Sequence, residues 1–270
     1  MRRPHKKNHP SRGSGSRGSS EGGRPPIIPK GRWAIGLHAV REALKVRPKA
    51  IAEMWLKEGW ESSQDLRELA DQAGQKIQTK PQGLLDKLAG GHQGVAARLT
   101  EEPPFDWSDL ESAPQSLVLL ADGLQDPHNL GAIIRTAWLL KVQAIFITEN
   151  RSSPMTPTVM KVACGGAEHV PVIPDGNLLD AAKRLKDMGF WLYGMNGDAH
   201  QTLWQAQFPE KVALVVGSEE SGIRTPLSRL CDDLIRIPQV ATEASFNASV
   251  ATAIGLSEVR RQHLQEPKKP

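Results

Sequence analysis

Between residues 116 and 263 the chain alternates short, continuous apolar runs with helical patterns. The runs are Leu117–Ala121, Ala144–Thr148, Phe190–Tyr193, Val212–Val216 and Leu234–Ile237. A strand with one wet face alternates apolar and polar residues. These runs do not, so each is read as a strand covered on both faces. Helical patterns lie between them, around 130–140, 177–188 and 225–231, and a last helix runs from about 247 to 264. Strand–helix alternation with fully apolar strands specifies an α/β fold, a parallel sheet packed between helices.

The residues before this unit organise differently. Leu37, Val40 and Leu44 recur at helical spacing, which predicts a helix over 36–46. Strands are expected at Ala52–Lys57, Lys76–Lys80 and Val95–Leu99, and helices at Gln64–Ala73 and around 82–89. This is a small α/β unit spanning 33–100. A stretch rich in proline and acid, 101–115, reads as a linker to the large unit at 116–264, and 265–270 as a C-terminal tail. Residues 1–32 hold nine Lys or Arg against Glu21, a charge of +8, and almost no large apolar side chains. Such a segment cannot bury enough surface to offset its chain entropy, so it is expected to be disordered. Its Gly13-x-Gly15-x-x-Gly18 is no dinucleotide site, since neither strand nor helix flanks it. The rest of the chain carries −4, given the net +4 of the whole.

Composition excludes several classes. There is no apolar run of ~18 residues for a membrane helix. The basic N-terminus lacks the apolar core of a signal peptide. Cys164 and Cys231 give neither a metal spacing nor a disulfide framework, so no metal is expected and a reduced, cytoplasmic compartment is.

In open parallel sheets, ligands bind beyond the carboxyl ends of the strands. Three polar clusters fall there. Asp122-Gly-Leu-Gln-Asp-Pro-His-Asn129-Leu-Gly131, running on to Arg135, follows the first strand of the large unit. Gly217-Ser-Glu219-Glu-Ser-Gly222-Ile-Arg224 follows the Val212 strand. Ser245-Phe-Asn247-Ala-Ser249 follows the Leu234 strand. Singly, each is equally well a turn or a helix N-cap. Their recurrence in order at three strand ends favours a site.

The sequence Asp-Pro-His-Asn-Leu-Gly-Ala-x-x-Arg-Thr-Ala, then Leu-Val-Val-Gly-Ser-Glu-x-x-Gly, then Ile-Pro-x(6)-Ser-x-Asn-x-Ser-Val-Ala resembles the three signature motifs of the SpoU (TrmH) family of RNA 2′-O-ribose methyltransferases. Within it, Gly36-Leu-His-Ala-Val and His92-Gln-Gly-Val-Ala-Ala are similar to the two ends of the RNA-binding domain of RlmB-type enzymes, which methylate a guanosine of large-subunit rRNA. Lys161-Val-Ala-Cys-Gly-Gly-Ala-Glu-His-Val-Pro is similar as well. The resemblance implies a SPOUT fold with a C-terminal trefoil knot, a homodimer with its sites near the subunit interface, S-adenosylmethionine as cofactor and RNA as substrate.

It also implies residue roles. Arg135 would be catalytic. A guanidinium stays charged, so binding phosphate and ribose oxygens and stabilising a developing alkoxide suits it better than proton abstraction. Asn129 and Glu219 would position Arg135 and the ribose. Ser245 and Asn247 would hydrogen-bond substrate or neighbouring motif residues. Gly217, Ile237, Phe246 and Gly194 would contact the cofactor, with Phe246 standing where leucine is usual. Two readings remain beside this one: a tRNA ribose methyltransferase on the same fold, and a non-catalytic RNA-binding protein. The small unit at 33–100 favours rRNA, and the full set of five polar residues favours catalysis. The tail at +8 is expected to attract RNA without reading its sequence.

Overall fold

A computed structural model describes residues 30–59, 64–241 and 244–265. Most of the expected basic tail and all but the first residue of the C-terminal tail lie outside the described residues.

The small unit begins with strand β1 (Arg32–Ile35) and helix α1 (Leu37–Val46). Then follow β2 (Ile51–Lys57), α2 (Gln64–Gln72), β3 (Ile77–Lys80), α3 (Gln82–Asp86) and β4 (Val95–Leu99). Its sheet has the order β1-β4-β2-β3, with β4 antiparallel to both neighbours and β2 parallel to β3. Strand β1 was not expected. Arg32, counted with the basic tail, opens it and is only 8% exposed. The strand is built on apolar residues, Trp33, Ala34 and Ile35, all buried, and Trp33 packs on Trp55 of β2 with ring centroids 4.4 Å apart.

The expected linker at 101–115 contains helix α4 (Trp107–Ser112). Asp106 caps it, accepting a 2.9 Å hydrogen bond from the Ser108 amide, and this bond holds its carboxyl below the usual range. Leu110 is fully buried, and Trp107 stacks on Phe146 at 5.0 Å while Phe105 meets both rings edge-on. The proline and acid content hid these anchors, which close one face of the large sheet.

The large unit runs β5 (Ser116–Asp122), α5 (Pro127–Leu139), β6 (Ala144–Thr148), α6 (Pro157–Val162), β7 (Val172–Asp175), α7 (Leu178–Asp187), β8 (Trp191–Met195), β9 (Gln201–Thr202), β10 (Lys211–Gly217), α8 (Thr225–Leu230), β11 (Asp233–Arg236) and α9 (Ala248–His263). The sheet is parallel throughout, in the order β7-β6-β5-β10-β8-β11-β9. The chain builds outward from β5 to β7, then starts again at β8, and β10 later fills the gap between β5 and β8. That gap is the switch point where such sheets bind ligands. Successive residues of β5 point to opposite faces. Val118 and Leu120 join Phe146, Leu178, Leu185 and Leu227 under α4, α7 and α8. Leu117 and Leu119 join Ile133 and Leu256 under α5 and α9. This second core continues unbroken into the small unit through Ala34, Val40 and Leu44.

One carboxylate lies at the join. Glu168, 3% exposed, sits in the turn after α6. Arg32 Nη1 donates to it at 2.9 Å and Arg47 Nη1 at 3.1 Å. Arg47 Nη2 also donates to the carbonyls of Glu101 and Glu102, each at 2.8 Å. The first strand, the end of α1 and the start of the connecting segment thus converge on one acid. Burial pushes the Glu168 carboxyl above the ordinary range, although both guanidiniums oppose this. Removing one partner of a buried ion pair is costly, because the other charge is left stranded. Arg32→Ala is therefore expected to lower the unfolding free energy by about 2–4 kcal/mol, read from urea titration. Adding Glu168→Leu should recover part of that loss, and a double variant no more stable than Arg32→Ala would refute the account.

Candidate active site at the strand ends

Strand β5 ends at Asp122 and hands the chain to α5 through a turn in which Asp126 is the N-cap, accepting from the His128 amide at 2.8 Å. The helix therefore starts beside the sheet edge and brings Asn129 into its first turn, 7% exposed. Gly131 fits α5 against α6. A Cβ there would stand 2.6 Å from the Val162 Cβ and 2.9 Å from the Val159 carbonyl oxygen.

After β10 the chain folds tightly back. The Ser218 amide donates to the Gly222 carbonyl at 3.2 Å, and the Gly222 amide to the Ser218 carbonyl at 3.0 Å. A Cβ on Gly217 would lie 1.9 Å from the Gly222 carbonyl carbon, so no other residue fits at 217 without opening the turn. The turn presents Glu219. After β11, Asn247 caps α9, its Oδ1 accepting from the Ser249 amide at 2.9 Å and the Val250 amide at 3.4 Å.

The three segments meet in one network. Glu219 Oε1 accepts from Asn129 Nδ2 at 2.9 Å, from Asn247 Nδ2 at 2.8 Å and from the Ala248 amide at 3.2 Å. Asn247 Nδ2 also donates to Asn129 Oδ1 at 2.9 Å. Arg135 stands apart from it. Its guanidinium is exposed and donates to Cys164 Sγ at 3.6 Å. Six residues along a helix turn about 240° at 3.6 residues per turn, which carries Arg135 off the face of α5 that bears Asn129.

Two cavities flank the 218–222 turn. One, about 380 Å³, lies over the ends of β8 and β10 and is lined by Met195, Asn196, Gly217, Glu219, Ser245 and Phe246, among others. Of the four expected cofactor contacts, Gly217 and Phe246 line it. Ile237 is half-buried and packs on the core behind it. Gly194 is closely packed: a Cβ there would meet Leu234 at 2.6 Å and Cys231 Sγ at 3.1 Å. Burial pushes that thiol up to about 12, so it serves as apolar filling. Asn196, Gly197 and Asp198, also in the lining, were not singled out from sequence, although a polar turn after an apolar strand is the same signal that marked the other three clusters. The other cavity, about 230 Å³, lies over the ends of β5 and β10. Behind it Asp122, 2% exposed, accepts from Arg224 Nε at 2.8 Å and from the Arg224 amide at 3.1 Å, tying the two strand ends together. Among the described residues no His, Cys, Asp and Glu group of metal-binding form occurs, and no helix is long and apolar enough to cross a membrane.

A parallel sheet with its polar residues gathered at the switch point, beside a cavity in the roughly 300–1,000 Å³ range of small-ligand sites, defines an α/β enzyme-type domain. Residues 116–257 match the model of the SpoU rRNA Methylase family, and residues 33–105 match that described as RNA 2′-O ribose methyltransferase substrate binding. The chain belongs to the SpoU family. It is 37% identical over 240 residues to the 23S rRNA (guanosine-2′-O-)-methyltransferase RlmB of Vibrio vulnificus, covering 86% of this chain and 97% of that one. The identity to Escherichia coli K12 RlmB is also 37%, over 84% of this chain and 97% of that one. In fold it resembles the SpoU methyltransferase AviRb of Streptomyces viridochromogenes, solved with AdoMet (TM-score 0.75, 22% identity, 87% and 91% coverage). It likewise resembles an AdoMet-bound rRNA methyltransferase of Sinorhizobium meliloti (TM-score 0.71, 23% identity, 87% and 88% coverage).

The network generates a test that separates capping from cross-linking. Asn247→Asp keeps the acceptor that caps α9 but replaces the donor aimed at Glu219 and Asn129 by a second acceptor. It is expected to cost about 1–3 kcal/mol at neutral pH, with the loss shrinking as pH falls and the new carboxyl protonates. Thermal unfolding at pH 7 and pH 4 reads this out, and equal stability of the two proteins at pH 7 would count against the network.

Proposed function

We propose that this chain transfers a methyl group from S-adenosylmethionine to the ribose 2′-hydroxyl of a guanosine in 23S rRNA. The observation that carries the reading is the junction of Asn129, Glu219 and Asn247, one residue from each of three family motifs, whose Glu219 lines the 380 Å³ cavity. The nearly full-length likeness to RlmB enzymes supports the choice of rRNA and guanosine.

The cavity suits the cofactor by its chemistry. Phe246 and Met195 offer apolar contact for a purine, and Asn196, Asp198 and Ser245 offer polar groups for a ribose and an amino-acid moiety. Bound there, S-adenosylmethionine supplies an electrophilic methyl on sulfur. The work left to the protein is placement and the management of one proton. Asn129 and Glu219 hold the ribose hydroxyls at the rim. Arg135 binds the adjoining phosphate and stabilises oxygen as it loses its proton.

In a single copy Arg135 lies on another face of α5, so we read the working unit as a homodimer in which this guanidinium reaches a site at or near the subunit interface. Exposed Val250 and Ser257 on α9, with half-buried Ile254 between them and Trp204 at 54% exposure nearby, support that reading. We also read the C-terminal path as the family's trefoil knot. Its support is that β11 enters between the earlier strands β8 and β9, after which α9 returns to pack on α5 and β10. The small unit at 33–100 would carry the RNA to the methyltransferase unit at 116–264.

Two outcomes are expected. Arg135→Ala should lower methyl transfer to rRNA at least ~100-fold while leaving the cofactor dissociation constant within about threefold, and Arg135→Lys should not restore it. Radiolabelled transfer and calorimetry measure these, and near-normal turnover in Arg135→Ala would sink the assignment. Separately, light scattering should give a dimer, and Ile254→Glu with Trp204→Glu should yield monomers of low activity. A fully active monomer would refute the dimeric site.

A further inference from the structure

The 230 Å³ cavity on the far side of the 218–222 turn borders Asn129 and Glu219, and the rest of its lining has no part in the methyl transfer. It is lined by Leu124, Gln125, Asp126, Asn129, Arg151, Glu219, Glu220 and Arg224, among others. We propose that it receives the target base itself, turned out of the RNA stack, and that it selects guanine. The proposal rests on the reading of the chain as a guanosine ribose methyltransferase.

Position carries the first half of the argument. Glu219, with Ser218, Ser221 and Gly222, forms the wall that the two cavities share, and Asn129, hydrogen-bonded to Glu219, lines this one. A ribose held at that wall, with its 2′-oxygen facing the cofactor cavity, has its base one glycosidic bond away. The cofactor fills one side of the wall, and the other side is this cavity. Enzymes that act on a base within a duplex extrude the nucleotide and read the base edge by hydrogen bonds, and a nucleotide whose ribose is the target can be presented the same way. At about 230 Å³ the space is smaller than the roughly 300–1,000 Å³ of sites that enclose a whole small ligand, and it suits one base.

Chemistry carries the second half. Guanine presents two donors, N1–H and N2–H, beside the acceptor O6, with N7 as a further acceptor. Recognition needs an anion next to a cation. Arg224 is held by its Nε and amide on Asp122, so its fork is fixed while its two Nη groups have no partner among the described residues. Arg151 reaches the same carboxylate only at 3.6 Å, which leaves most of its donors open. Glu220, exposed on the turn, has no partner among the described residues. Arg151 and Arg224 would donate to O6 and N7, Glu220 would accept from N1–H and N2–H, and buried Leu124 supplies an apolar surface for the ring. Adenine would place an amino donor against the guanidiniums and a bare ring nitrogen against the carboxylate, and is refused on both counts.

The test uses the full-length protein and a short RNA carrying the mapped target position as guanosine, inosine or adenosine. For the wild type, kcat/KM should fall ~10-fold for inosine, which lacks the N2 amine, and ~100-fold or more for adenosine. In Glu220→Ala, guanosine and inosine should become equal within about twofold. Arg151→Ala should lower kcat/KM for guanosine ~10-fold with cofactor affinity unchanged. The proposal is overturned if the wild type does not distinguish the three bases, if the variants slow all three equally, or if Arg151→Ala weakens cofactor binding. Absence of transfer by the wild type to any RNA would instead strike the methyltransferase reading, and this one with it.

Discussion

A single carboxylate oxygen, Glu219 Oε1, holds the functional end of the molecule together. It accepts from a side chain at the start of α5, from a side chain at the start of α9 and from the first amide of that helix. The segments bearing these donors lie over a hundred residues apart, and no local preference would bring them to one point. The sheet does so by setting β5 and β10 side by side in parallel register, Gly217 opposite Asp122. A carboxylate that accepts several hydrogen bonds is fixed in direction as well as charge, even where, as here, the side chain is exposed. The polar groups left over are thereby aimed at whatever enters from either side.

The same two strand ends are tied a second time, behind the first tie, by Asp122 and Arg224. The result is a thin turn, 218–222, braced from two directions and separating two cavities. Its tightness depends on Gly217, where a side chain would collide with the Gly222 backbone. From sequence, the natural reading of that glycine was close approach by a cofactor. The closer approach is by the chain's own backbone, and the cavity lining is a consequence of it.

How much could be read beforehand follows the physics of each element. Strands buried on both faces announce themselves as apolar runs, and β5, β6, β8, β10 and β11 were all legible. Strand β1 was missed because its first residue, Arg32, carries a charge whose partner, Glu168, lies 136 residues away. Strand β7 (Val172–Asp175) was missed because it is short, sits at a sheet edge and contains Pro174, which only an edge tolerates. Helix α4 was hidden by the prolines and acids around its three apolar anchors. Asn129, Glu219 and Asn247 could be grouped because they follow three strand ends of one sheet. That Arg135 would leave the group was also available, from six residues of helical rotation. Where its guanidinium ends up, against Cys164, was not, since that depends on how α6 and the turn after it pack. Gly194, expected to contact the cofactor, also sits where the chain packs closely against Leu234 and Cys231.

The convergence of Arg32 and Arg47 on Glu168 ties the small unit to the large one close to Arg135. Gly166 lies against the Arg135 backbone, and Gly165 against Glu42 and the His38 carbonyl of α1. On the proposed reading, two grips on one RNA would therefore be mounted on one frame, as the jaws of a caliper are, at a set opening. An RNA that reached one jaw with the wrong span to its reactive sugar would then find no hinge to accommodate it. Such a molecule would choose among the many exposed riboses of an rRNA by length as much as by base identity.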